Sequence, residues 1–75
     1  MPESKREALI RAKKEGFPAN SVEEGEKGWY IVPHGITSAK ARRAYVACRD
    51  GGGEASTCAA VAHNVQNDEG REEND

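Results

Sequence analysis

The stretch TSAKARRAYVACRDGGGEASTCAAVAHNVQ, residues 37–66, decides the fold. It holds two alanine-rich runs separated by Gly51-Gly52-Gly53. Consecutive glycines break a helix, because each loses the most backbone freedom on ordering and brings no side chain to pack. In the first run Ala41, Ala44, Tyr45 and Cys48 recur at helical spacing; in the second Cys58, Val61, Ala62 and Val65 form an i, i+3, i+4, i+7 stripe. Thr37 has the chemistry of an N-cap, and Ile36 before it suits a hydrophobic staple on Ala41. The expectation is one helix from Thr37 to about Arg49 and another from about Glu54 to Gln66. A short connection makes them antiparallel neighbours.

Upstream, Trp29-Tyr30-Ile31-Val32 is aromatic and β-branched and lies between Gly28 and Pro33, which reads as a strand. Its backbone groups need a partner. The nearest is a short strand centred on Val22, joined across Glu24-Gly25-Glu26-Lys27-Gly28 as a hairpin. Trp29 and Ile31 then share one face and Tyr30 and Val32 the other, so both faces need cover. Before the hairpin, Ser4 and Glu7 have capping-box spacing. A helix from about Lys5 to Glu15 follows, with Leu9, Ile10 and Ala12 near its buried side, Gly16 past its end and Pro18 as a stop. The fold class is therefore α+β: a small single domain in the order helix, two-stranded β-hairpin, antiparallel helical pair, over residues 1–66.

The last ten residues, QNDEGREEND, carry five acids against Arg71, a net of −4. The whole chain is −2, from 11 bases and 13 acids, so the remainder is +2. The segment has no large apolar residue to offset the entropy of ordering, and residues 67–75 are expected to form a disordered acidic tail. Leu, Ile, Val, Phe, Tyr and Trp together number only thirteen, a small core for 75 residues. Net stability should be low, which motivates the expectation that a homodimer or a covalent staple supports the fold. No apolar run approaches the roughly 18 residues of a membrane span, and the N-terminus lacks the apolar run of a signal peptide. The expected location is cytoplasmic, with no membrane partner.

Cys48 and Cys58, spaced C-x9-C across the glycine turn, admit three readings. The favoured one is a pair of reduced, buried cysteines acting as small hydrophobes, as suits a reducing cytosol. The second is a disulfide between the helices. The third is a metal site completed by His34 and His63, but structural zinc sites bring ligands in tight pairs, which this chain lacks. Neither metal nor cofactor is expected. Gly51-Gly52-Gly53 follows a helix and is flanked by Asp50 and Glu54, unlike a phosphate-binding loop. No carboxylate pair or nucleophile–base pair can be assigned to a pocket, so the chain is read as non-enzymatic.

The charge pattern of the second helix carries the functional candidates. Lys40, Arg42, Arg43 and Arg49 are its cations, and Asp50 at its end is the first acid. Arg11 and Lys14 lead the basic set of the first helix, which totals +3 from Lys5, Arg6, Arg11, Lys13 and Lys14 against Glu7 and Glu15. A shared basic face would suit an anion or nucleic acid. Two facts weigh against nucleic acid: the few aromatic residues are needed for the core, and residues 54–66 carry no Lys or Arg to enter a groove. The favoured function is a small non-catalytic interaction or regulatory module with a protein partner. The alternative is a nucleic-acid-binding protein using Lys40, Arg42, Arg43, Arg49, Arg11 and Lys14.

Overall fold

The computed structural model describes residues 4–73. Helix α1 spans Lys5–Lys14, a short 3-10 turn spans Ala19–Ser21, and strands β1 (Val22–Glu24) and β2 (Trp29–Ile31) follow. Helices α2 (Ala39–Asp50) and α3 (Ala55–Glu73) complete the domain. The α+β order of helix, hairpin and helical pair matches the sequence reading.

Helix α1 begins as its capping residues dictate, with the Glu7 N–H donating to the Ser4 hydroxyl at 3.3 Å. It ends with Gly16 in the left-handed region at φ +86, where a side chain would be strained. The Phe17 N–H then reaches back to the Ala12 carbonyl at 2.7 Å. The strands pair antiparallel with Val22 opposite Ile31, Glu23 opposite Tyr30 and Glu24 opposite Trp29. The Val32 N–H extends this ladder to the Ser21 carbonyl at 2.8 Å.

Both sheet faces are covered, by different helices. Lys5 of α1 lies over the Trp29 ring, 5.5 Å from its centroid. On the other side Val32 joins Ile36, Ala41, Tyr45, Cys58 and Ala62 in the main buried cluster, with Tyr30, Cys48, Ala59 and Val65 packed around it. Small residues let the backbones approach: Ala8, Ala41, Cys58 and Ala62 are completely buried.

Five expectations shift. Cys48 and Cys58 are not a reduced pair but a disulfide, with their α-carbons 5.5 Å apart. The tight glycine connector causes this, for Gly53 lies so close to the bridge that an added β-carbon would sit 2.8 Å from each sulfur. The sulfurs are bonded to one another and so cannot serve as thiolate metal ligands. Val61, expected on the α3 stripe, is 40% exposed, because the helix turns its Cys58–Ala62 line inward. On α1 the buried residues are Ala8 and Ala12, while Ile10 is 59% exposed, since the helix rests on the sheet through its alanines. The N-cap of α2 is Ser38, one residue after Thr37; its hydroxyl accepts from the Ala41 N–H at 3.2 Å. Finally, α3 continues as helix through Glu73, over most of the stretch expected to be a disordered tail. Extending an existing helix gains a hydrogen bond for each residue fixed, and Glu69 accepts a hydrogen bond from the Ser38 hydroxyl. Residues 74–75 lie outside the described residues.

Candidate functional site

The end of α2 meets the hairpin through Asp50. Its carboxylate accepts from the backbone N–H groups of Glu26 (2.9 Å) and Lys27 (3.1 Å) and from the Tyr30 hydroxyl (2.6 Å). The hydrogen bond from Tyr30, then that from Glu26, hold the Asp50 carboxyl below its ordinary pKa. The same bond, followed by burial and the Asp50 charge, raises the Tyr30 phenol. Both effects keep a carboxylate facing a protonated hydroxyl. Gly25 is required here, because a β-carbon at that position would lie 2.5 Å from the Tyr30 ring and 2.7 Å from both Asp50 oxygens.

A second clamp holds the start of α2. The Gln66 side-chain oxygen accepts from the Thr37 N–H (2.7 Å) and the Ser38 N–H (3.0 Å), and its amide donates to the Gly35 carbonyl (2.7 Å). These donors belong to the open end of a helix, where no backbone acceptor precedes them.

The six candidate cations do not form one face. Arg42, half-buried, turns onto the hairpin and donates to the Asn20 carbonyl and to Glu23 at 2.8 Å. Arg49 donates to the Gly53 carbonyl at 3.1 Å and lies over the Tyr30 ring, 5.6 Å from its centroid. Arg11 pairs with Glu15 at 3.6 Å. Arg43 is exposed but lines a groove among carboxylates, and Lys14 and Lys40 are exposed.

Two concavities bring these groups together. The larger, about 700 Å³, opens between the hairpin turn and α2. Glu23, Glu24, Glu26 and Asp50 surround its apolar floor of Val46 and Ala47, with Arg43 the one cation among the described lining residues. The smaller, about 230 Å³, lies between α1, β2 and the end of α2, and contains Arg11, Arg49, Phe17, Tyr30 and Tyr45. Tyr45 is only 3% exposed. Burial raises its pKa, while the charges of Arg49 and then Arg11 act in the opposite direction. The Arg42 Nε and Arg49 Nε are buried with no hydrogen-bond partner among the described residues.

Among the described residues no three His, Cys, Asp or Glu side chains converge as a metal-ligand set. His34 is stacked on Phe17, with ring centroids 4.3 Å apart. No described helix is long and apolar enough to cross a membrane. Compared with protein-family models, curated proteins and solved structures, the chain matches none.

The residues that sequence reasoning missed are Asp50, Gln66, Gly25 and Gly53. One signal for Asp50 was present. An acid in the last turn of a helix faces the negative end of the dipole, so a compensating set of donors is required. The glycine-bounded turn from Gly25 to Gly28 supplies them.

Proposed function

We propose that the chain is a non-catalytic interaction module that presents the groove between hairpin and α2 to a protein partner. The observation that carries this reading is the groove itself, a concavity of about 700 Å³ with a small apolar floor and a rim of carboxylates. Its chemistry suits a segment bearing lysine or arginine beside a small apolar side chain. The non-catalytic reading is supported by the use made of the converging polar groups. Asp50, Tyr30, Arg42, Glu23 and Gln66 are all engaged in holding backbone or one another.

The nucleic-acid alternative has less support, since Arg42 and Arg49 are tied into the fold and Arg43 stands among acids. The disulfide also bears on location. Such bonds persist in oxidising compartments, and we therefore favour a module working where thiols are oxidised over the cytoplasmic setting expected from composition.

The test is a titration of the disulfide-intact chain with labelled peptides, one basic and one acidic of equal length, and with labelled DNA and RNA. The basic peptide binds, and Glu24→Lys with Glu26→Lys abolishes that binding. Nucleic-acid binding with a steep salt slope, weakened by Lys40→Ala and Arg43→Ala, overturns the proposal. Light scattering in the same buffers reads self-association, the case in which the partner is a second copy.

A further inference from the structure

The groove between hairpin and α2 calls for an apolar side chain set among cations, and the chain itself carries one. We propose that the partner of the groove is a second copy of this chain, docked through the outer face of α1. This rests on the groove being the interaction surface and names what fills it. The buried residues of α1 are Ala8 and Ala12. Ile10 lies two residues from each, which at about 100° per residue puts it on the opposite side of the helix. It is 59% exposed, more than Val61 at 40%. Arg6 and Lys14 stand four residues to either side of it and Lys13 three residues on, the spacings at which helical side chains are neighbours. All three cations are exposed, as is Glu7 on the same face, so the patch around Ile10 carries three bases against one acid, a net of +2.

The groove presents the converse pattern. Its four carboxylates against Arg43 make a net of −3 around Val46 and Ala47. Glu23 is engaged by Arg42 and Asp50 by the hairpin, so the exposed Glu24 and Glu26 are the acids that meet a partner's cations. Seating Ile10 on the apolar floor brings the cations of α1 to that rim, and Glu7 is the acid available to Arg43. A chain cannot fill its own groove, because α1 is fixed through its alanines with Ile10 facing away. The pairing is therefore heterologous: each contact leaves one groove and one α1 face open, and association continues into a ring or an open chain. A helix of ten residues offers a face short of the ~1,200 Å² total of a stable interface, so the affinity is weak, about 0.1–1 mM.

The test is sedimentation velocity of the disulfide-intact full chain up to about 1 mM, with two variants altered only at exposed residues. Glu24→Lys with Glu26→Lys changes the groove; Ile10→Gln with Lys13→Gln and Lys14→Gln changes α1. The weight-average mass of the parent rises with concentration past twice that of one chain, and added salt reduces the rise. Each variant alone stays monomeric and melts as the parent does, since surface changes of this kind alter stability little. An equimolar mixture of the two variants associates again and stops at one copy of each, because a single intact groove and a single intact α1 face remain. The proposal is overturned if the parent stays monomeric, if either variant alone still associates, or if the mixture does not. The basic-peptide titration keeps the two readings apart. Peptide binding by a parent that stays monomeric removes the second copy and leaves the groove with a foreign basic partner, whereas a monomeric parent that also ignores the peptide removes both.

Discussion

Opening the Cys48–Cys58 bond tests how far this small core depends on a covalent link. The bridge spans a sequence separation of 10. In the chain-entropy account, removing a link across about ten residues frees the unfolded ensemble by roughly 2.5–3 kcal/mol. For 75 residues at ~0.05–0.15 kcal/mol each, total stability is about 4–11 kcal/mol, so the loss is a quarter of it or more. At ~4–8 °C per kcal/mol for a domain of this size, the melting temperature should fall by about 10–24 °C. The perturbation is best made twice. Reduction by a thiol reagent breaks the bond and keeps both sulfurs in place. Cys48→Ala with Cys58→Ala also empties space around Cys58, which is completely buried, and should cost about 1 kcal/mol more. Far-UV circular dichroism melts of the oxidised, reduced and double-alanine chains separate the two effects. A fall of less than about 3 °C on reduction would refute the reasoning, because the helix pair would then be held by packing alone.

Two further outcomes follow from the Asp50 clamp. Gly25→Ala places a β-carbon 2.5 Å from the Tyr30 ring and 2.7 Å from both Asp50 oxygens, and should destabilise by about 1–3 kcal/mol, read as a lower urea midpoint at unchanged slope. Gly25 has no positive φ, so a loss here reports steric crowding rather than backbone strain. The second outcome concerns pH. Asp50 has a lowered folded pKa, so its stabilisation is fully present above the unfolded carboxylate value of about 3.9 and is lost as pH falls through the folded value. Tyr30 has a raised folded pKa, so its stabilisation is present below about pH 10 and is lost as pH rises through the folded value. Tyr30→Phe should therefore flatten both limbs of a plot of melting temperature against pH. Unchanged limbs would show that this pair does not couple folding to protons.

Helix and strand placement was legible because it rests on local chemistry. Ser4 and Gly16 bound α1, the glycine triplet separates α2 from α3, and alternation places Val32 and Tyr30 on the face that meets α2 and α3. What could not be read depends on tertiary approach. Ile10 and Val61 are apolar, but alanines win the inner positions because a tiny sheet and a tight helical turn leave little room between backbones. The disulfide needed a distance that spacing alone does not give, and the expectation of a reducing compartment pointed the other way. Of the six candidate cations, the sequence located the helices that carry them but not their partners. Arg42 finds Glu23 nineteen residues away, and Asp50 finds Glu26 twenty-four away.

Those long-range partners explain why a basic helix here is a poor guide to an anionic surface. With thirteen large apolar side chains, the chain has little hydrophobic area with which to fix a hairpin against two helices. Polar side chains take over that task. Arg42 anchors the start of β1, Asp50 anchors the turn and Gln66 anchors the entry to α2, each by reaching backbone groups that the short elements leave unpaired. The Arg42–Glu23 pair is part-exposed, with side-chain exposures of 20% and 39%, so its own Coulombic contribution is modest and its geometric one larger. Charge counted along a helix therefore overstates what a ligand can reach.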